Sequence, residues 1–251
     1  MAVATAADLA GKVTVVTGGS RGMGKAMVEA FAANGADVVI ASRKLDNCER
    51  LAEEVHRSHG VRALPVACNV SDWEQCDALV ETAYREFGRV DVLVNNAGLS
   101  PLYPSLAEHG EALFDKVIAV NLKGPFRLAS LIGTRMAEGD GGSLINITSI
   151  ESIRPNAHAL PYAAAKAGLK VLTEGFAQAF GPKVRVNAIQ CGPFLTDISA
   201  AWTSEIRAEF ERNALGRCGE ADEVVGAVLY FASAASSFCT GAVLRLDGGV
   251  R

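Results

Sequence analysis

The chain has 251 residues, of which 24 are basic and 28 acidic, giving a net charge of −4. No run of about five like charges occurs and no apolar run nears the roughly 18 residues of a membrane span, which speaks against nucleic acid and membrane partners. Six scattered cysteines without a C-x-x-C pair and a start without basic residues lead us to expect reduced thiols in a cytosolic protein large enough to need no disulfide scaffold.

From Lys12 onward, short β-rich apolar runs alternate with longer helical patterns, the sign of βαβ units around a parallel sheet. Strands are expected at Val13 to Thr17, Asp37 to Ala41, Arg62 to Ala67, Val90 to Val94, Ser143 to Thr148, Val184 to Ile189 and Val243 to Leu246. Runs such as VTVVT, DVVIA and VDVLV are near-continuously apolar, as strands covered on both faces must be. The expected fold class is therefore α/β, a Rossmann fold with a doubly wound, parallel, seven-stranded sheet flanked by helices. No linker or repeat divides the chain, so residues 1–251 read as a single domain. The loosely patterned stretch 192–219, with a helical pattern around Glu205 to Arg212, reads as a substrate lid.

After the first strand comes Thr17-Gly18-Gly19-Ser20-Arg21-Gly22-Met23-Gly24, running into a helix. Glycines allow a tight turn and close approach of the backbone to a pyrophosphate, and the helix N-terminus offers free N–H groups, so dinucleotide binding by Gly18, Ser20, Arg21, Gly22, Met23 and Gly24 is expected. An NAD enzyme places an acidic residue about 20 residues beyond the glycines, on the ribose hydroxyls. Here Ser42 stands in that place, followed by Arg43 and Lys44. With Arg21 these cations suit a 2′-phosphate, so NADP(H) is expected over NAD(H). Downstream, His56 and His59 have metal-ligand spacing but sit among Glu53, Glu54, Arg57 and Ser58, a solvated helix face, and no metal is expected.

Asn69-Val70 follows the third strand, Asn95-Asn96-Ala97-Gly98 the fourth, and Asn121 lies in the helical stretch beyond. Ser149 ends the fifth strand, with Tyr162 13 positions on and Lys166 four later. Tyrosine and lysine at i, i+4 share a helix face. A neighbouring cation, together with the positive nicotinamide, favours the phenolate, which predicts a lowered pKa for Tyr162 and a general acid–base role. Ser149 would donate to the substrate oxygen. Asn187 to Pro193, then Phe194 and Thr196, follow the sixth strand.

The T-G-x-x-x-G-x-G loop, the N-N-A-G segment, Asn121 and the Ser149, Tyr162, Lys166 set resemble the classical short-chain dehydrogenase/reductase family, over Leu9 to Gly249. The resemblance implies that Asn95, Ala97 and Gly98 close one side of the adenosine pocket and steady the sheet. Asn69 and Val70 fall at the adenine edge, where the family has Asp-Val. Lys166 would also bind the nicotinamide ribose, alongside Tyr162, and Asn121 would hold a water linking Lys166 to solvent. Phe194 and Thr196 would meet the carboxamide and phosphates, and Cys191 stands where the family has proline. A homotetramer is implied, with the alanines at 163, 164, 165 and 167 allowing close packing.

The function expected is NADP(H)-dependent interconversion of a carbonyl and a secondary alcohol on a small, largely apolar substrate. One alternative is a 3-oxoacyl-carrier-protein reductase, which the net acidic stretch Arg135 to Asp140 disfavours. Another, of a different class, is a catalytically silent nucleotide sensor or scaffold, which would have no need to keep Asn121, Ser149, Tyr162 and Lys166 together. Substrate contacts are expected from Ser100 to Tyr103, Ile150 to Pro155 and the lid, with Leu102, Tyr103, Ile150, Ile153, Phe194 and Trp202 apolar, and with Glu151, Arg154 and Asn156 selecting any polar group. His109 and His158 read as loop polarity.

Overall fold

All seven expected runs pair in one sheet: β1 (Val13–Thr17), β2 (Asp37–Ser42), β3 (Ala63–Ala67), β4 (Val92–Asn95), β5 (Gly142–Ser149), β6 (Val184–Cys191) and β9 (Val243–Leu246). The computed structural model describes residues 8–250 apart from 102, 104, 197, 198, 200 and 201. The strand order is β3-β2-β1-β4-β5-β6-β9, and every neighbouring pair is parallel. The order reverses between β1 and β4. In an open α/β sheet, that switch point is where ligands bind, outside the carboxyl ends of the strands.

Alternation along the strands supplies two cores. Val16, Ile40, Val92, Val94, Ile145 and Ile147 face one side, where α1 (Gly22–Ala33), α2 (Leu45–His59) and α8 (Val225–Ala232) bring Phe31, Leu51 and Phe231. Val13, Val15, Val39, Leu93, Leu144 and Val186 face the other, under α3 (Trp73–Phe87) and α5 (Gly124–Glu138), which bring Leu79, Val80, Leu128 and Ile132. Phe31 and Phe231 are almost fully buried, and truncating such a ring to alanine costs about 3–5 kcal/mol.

Helix boundaries follow local chemistry. Asp72 caps α3 by accepting from the Gln75 N–H at 3.1 Å, and left-handed Gly60 and Gly88 end α2 and α3. Between α4 (Glu111–Ile118) and α5 the chain makes a π-helical turn over Ala119–Lys123. Such turns often mark functional positions, and this one carries Asn121. The stretch 192–219 is tied down at its ends by two short strands absent from the sequence reading, β7 (Phe194–Leu195) and β8 (Gly219–Glu220). Its helix, α7, spans Ser204–Phe210.

Candidate active site

The glycine loop joins β1 to α1 at the switch point. Gly22 has φ +52°, a left-handed conformation that disfavours other residues, and a Cβ placed on it would lie 3.5 Å from Thr196 Cβ. Gly24 is more constrained, because a Cβ there would stand 2.1 Å from the Gly18 carbonyl oxygen and 2.7 Å from Asn96 Nδ2. Only glycine lets α1 press its first turn against the loop, which leaves the helix N-terminus open to an anion. Ser20, Arg21 and Met23 complete that turn, and Ser20 Oγ lies 2.9 Å from Ser42 Oγ at the end of β2. These residues fit a dinucleotide whose pyrophosphate sits on the α1 N-terminus.

The opposite wall comes from the β4 end, through Asn96. Its Nδ2 donates to the Thr17 carbonyl at 2.8 Å and to the Gly18 carbonyl at 3.2 Å, and Thr17 Oγ1 accepts from the N–H groups of Asn96 and Ala97. Asn95, expected beside the adenosine, turns the other way. As the last residue of a strand it faces the core, where its Nδ2 donates to Asn146 Oδ1 at 3.0 Å and to the Pro125 carbonyl. Asn95 thus ties β4 to β5, and Asn96 is the residue of the pair that lies against the glycine loop.

Asn69, expected at the adenine edge, also makes hydrogen bonds within the chain. Its amide oxygen accepts from the Ser71 N–H at 3.3 Å and the Ser71 hydroxyl at 2.9 Å, so it shapes the turn into α3. Val70 is buried, with its carbonyl so close to Gly124 that a Cβ there would lie 2.1 Å away. Beyond Ser42, exposed Arg43 is followed by an open pocket lined by Lys44, Asp46, Asn47 and Arg50. Sequence reasoning missed Arg50, and no helical spacing signals it, because positions six apart do not share a helix face. It also missed Asp46, a carboxylate close to the cations.

Asn121, Ser149, Tyr162 and Lys166 meet at the ends of β4 and β5. Asn121 is fully buried; its Nδ2 donates to the carbonyls of Val117 and Leu99 at 2.9 and 2.8 Å, and its Oδ1 accepts from the Leu99 N–H. A Cβ on Gly98 would fall 3.3 Å from Asn121 Oδ1 and 3.9 Å from Lys166 Nζ, which brings the N-N-A-G segment onto both residues. Tyr162 and Lys166 lie on α6 (Leu160–Phe180). Lys166 Nζ donates to the Ile147 carbonyl at 2.8 Å and stands 5.6 Å from the centre of the Tyr162 ring.

Among the groups of the chain itself, burial works against the expected lowering of the Tyr162 pKa. Burial pushes Tyr162 well above the usual phenol range, against the pull of a hydrogen bond with Ser149, and the nearby Glu151 and Cys191 add to the rise. Desolvation likewise draws the pKa of Lys166 down, to about 8, which still leaves it a cation at neutral pH. Cys191 pairs across the ladder with Ser149. Lys166 is a cation beside it, yet burial pushes the thiol up to about 12, so it is an inert buried thiol. Its place in β6 leaves the following turn intact, with the Gly192 N–H on the Leu246 carbonyl at 2.9 Å.

Around the rim, several predicted contacts serve the scaffold. The Phe194 ring is buried in the core, hard against Gly219, which leaves its backbone to meet the carboxamide. Thr196 closes a small turn with Ser199 at 2.9 Å and stays beside Gly22. Tyr103 is buried; its hydroxyl donates to the Ala157 carbonyl at 2.7 Å and accepts from the Leu160 N–H, pinning the approach to α6. Asn156 Oδ1 accepts from the His158 N–H at 2.9 Å, and Arg154 Nη1 donates to the Val250 carbonyl. His109 stacks edge-on against Tyr103, with ring centres 4.6 Å apart. Leu102 lies outside the described residues. Among the described residues no group of three or more His, Cys, Asp or Glu is arranged to hold a metal, and no helix is long and apolar enough to cross a membrane.

Comparison with known proteins extends this geometry. A family model described as enoyl-(acyl carrier protein) reductase matches residues 18–251. The chain is 36% identical to the 3-oxoacyl-[acyl-carrier-protein] reductase FabG of Thermotoga maritima, over 96% of this chain and 98% of that one. It is also 36% identical to an L-rhamnose 1-dehydrogenase (NAD(P)(+)) of Azotobacter vinelandii, covering 95% and 96% of the two chains. A 7α-hydroxysteroid dehydrogenase solved with NADH and 7-oxo glycochenodeoxycholic acid superposes with a TM-score of 0.93 at 30% identity, covering 99% of this chain and 98% of that one. At comparable likeness, these three proteins are named for an acyl carrier thioester, a sugar and a bile acid.

Proposed function

The chain belongs to the short-chain dehydrogenase/reductase family, and on that premise we propose that it interconverts a carbonyl and a secondary alcohol with NADP(H), on a small substrate with a largely apolar body. The observation that carries this reading is the meeting of Ser149, Tyr162, Lys166 and Asn121 beside a glycine loop whose Gly24 has no room for a Cβ. Gly22, Gly24 and Thr196 would cradle the pyrophosphate, and Arg43, Ser42 and Arg21 would take the 2′-phosphate. The relatives' names include both NAD(P)(+) and NADH, so the NADP(H) assignment rests on Ser42 and Arg43.

When bound, the nicotinamide donates or accepts the hydride. The side chains handle the proton. Ser149 Oγ donates to the substrate oxygen, and Tyr162 Oη delivers its proton there as negative charge develops. Burial that keeps Tyr162 protonated suits the reductive direction. Lys166, fixed by Ile147, lends positive charge below the ring, and Asn121 holds the Leu99 backbone in place beside it.

A second reading, reduction of a 3-oxoacyl thioester on a carrier protein, is favoured by the 36% identity to FabG. The wider proposal includes one domain with 192–219 as its lid, a cytosolic location and a homotetramer. Phe126, Val171 and Phe238 leave apolar surface exposed for such subunit contacts. The deciding experiment titrates NADPH and NADH into the purified protein and then adds a panel of ketones, aldehydes and a 3-oxobutanoyl thioester. Preferential NADPH binding with turnover of a panel ketone supports the first reading, and turnover of the thioester alone supports the second. Tight binding without any turnover would favour a nucleotide sensor, and no binding would overturn all three.

A further inference from the structure

Along β6, Val184 and Val186 face the core beneath α3 and α5, and strand alternation puts Ala188 and then Gln190 on the same side. Gln190 is only 2% exposed. A carboxamide buried at the end of an apolar row costs free energy unless it is hydrogen-bonded, so its partner explains its presence. Gln190 Nε2 donates to Ser152 Oγ at 2.7 Å. Ser152 lies outside the sheet, at the end of a single 3-10 turn, Ile150–Ser152, that begins directly after Ser149.

That turn starts on Ser149 itself. Ser149 is its N-cap, and the Glu151 N–H donates to Ser149 Oγ at 3.2 Å. A hydroxyl oxygen has two lone pairs and one proton. With an N–H held on one lone pair, the Ser149 proton has to point away from the turn, where it can be donated. A lone 3-10 turn has little to hold it in place: here the N–H groups of Ile153 and Arg154 share the Ile150 carbonyl, each at 3.0 Å. Arg154 reaches the Val250 carbonyl at the exposed surface, where water competes. Gln190 supplies a buried tie to the sheet. It pairs in the ladder with Thr148, the residue before Ser149, so its side chain runs from beside the start of the turn to its far end.

We propose that Gln190 is a positioning residue for Ser149: through Ser152 it fixes the Ile150–Ser152 turn, which keeps the Glu151 N–H on Ser149 Oγ and so aims the Ser149 hydroxyl proton at the substrate oxygen. This deepens the carbonyl–alcohol reading and rests on it. Gln190 touches neither substrate nor nicotinamide in this role. Its effect passes through one hydroxyl, Ser152 Oγ, and one N–H, that of Glu151. Donors fixed in advance toward the place where charge develops need no reorganisation during reaction, and a small misplacement of such a group is expensive in rate.

The test uses Gln190→Met, which keeps the side-chain length and removes the donor, and Ser152→Ala, which breaks the same bond from its less buried end and stands in if Gln190→Met fails to fold. Both are made in the wild type and in Ser149→Ala, checked for NADPH binding, and followed in single-turnover reduction of the best panel ketone. The expected result is a rate lower by about tenfold or more in each, with NADPH affinity retained, and no further loss when either change is added to Ser149→Ala. Hydrogen–deuterium exchange over residues 149–154 gives a readout that needs no substrate: both changes should speed exchange there by freeing the Glu151 N–H. Unchanged exchange, an unchanged rate, or the same fold loss with and without Ser149 overturns the proposal, the last in favour of general packing. Faster exchange in a protein whose wild type reduces no panel ketone supports the hold on Ser149 and sinks the carbonyl–alcohol reading alone.

Discussion

The two halves of the site are built on different terms. On the nucleotide side, the Gly18 to Gly24 loop, Thr17 and Asn96 form a wall of backbone groups in which almost every contact is main chain or reaches main chain. On the substrate side, at the ends of β5 and β6, side chains dominate. Most of them, including Tyr103, Ser152, Asn156 and Arg154, are occupied in holding turns. A backbone cradle tolerates little variation in residue type, whereas a side-chain rim can redistribute its contacts, which is why relatives so alike in fold are named for such different substrates.

The comparison breaks most sharply at Tyr162. Tyr162→Phe removes the one group that moves the proton and leaves the cradle untouched. NADPH affinity should be retained while kcat falls by about 10²–10⁴-fold, the range of general acid–base catalysis. Stopped-flow reduction of the best panel ketone checks this, and unchanged turnover would remove Tyr162 from the mechanism.

A second break tests the cradle itself. Gly24→Ala places a methyl 2.1 Å from the Gly18 carbonyl oxygen, an overpacking that costs about 1–3 kcal/mol and pushes the loop off the α1 N-terminus. Thermal melting should drop and NADPH titration should weaken. Gly175→Ala is the control, since nothing lies within 4 Å of a Cβ there. In the middle of α6 it should stabilise, by roughly 0.5–1 kcal/mol.

This contrast also explains what the sequence could reveal. The strands are legible because burial on both faces forces unbroken apolar runs, and the glycine loop because steric exclusion at Gly24 dictates a residue type. The tetrad is legible because Tyr162 and Lys166 must be one helical turn apart. Side-chain direction is not encoded that way: nothing in N-N-A-G says that Asn95 faces the core and Asn96 the loop, and nothing local says that the Tyr103 hydroxyl is consumed by residues 54 and 57 positions on. The burial of Tyr162 and Lys166 was hidden for the same reason. A neighbouring lysine and a positive nicotinamide predict a lowered phenol pKa, whereas the desolvation that opposes them is visible only in three dimensions.

A smaller effect sharpens the boundary between the halves at Arg43. Arg43→Ala removes a guanidinium suited to the 2′-phosphate but leaves the pyrophosphate cradle intact. NADPH affinity should fall by about tenfold or more, the worth of one charge-assisted hydrogen bond, with NADH affinity nearly unchanged. Isothermal titration with both nucleotides decides it, and equal loss for both would move the 2′-phosphate to Lys44 and Arg50, whose pocket also holds Asp46.

The smallest effect concerns pH and belongs wholly to the substrate side. Burial raises the Glu151 pKa from 4.5 to about 7, so the folded protein holds this proton more firmly than the unfolded chain does. Linkage then fixes the sign: the stability associated with the protonated carboxyl is fully present below about pH 4.5, and it is lost as pH rises through about 7. Glu151→Gln keeps the shape of the neutral acid and cannot ionise. Its melting temperature, relative to the wild type, should therefore gain progressively between about pH 4.5 and 7 and level off above. Because Glu151 stands in the turn directly after Ser149 and not on the glycine loop, the NADPH affinity of Glu151→Gln should stay flat across the same range. A pH-dependent change in that affinity would mean that the two halves are coupled through this carboxyl, contrary to the division drawn from their geometry.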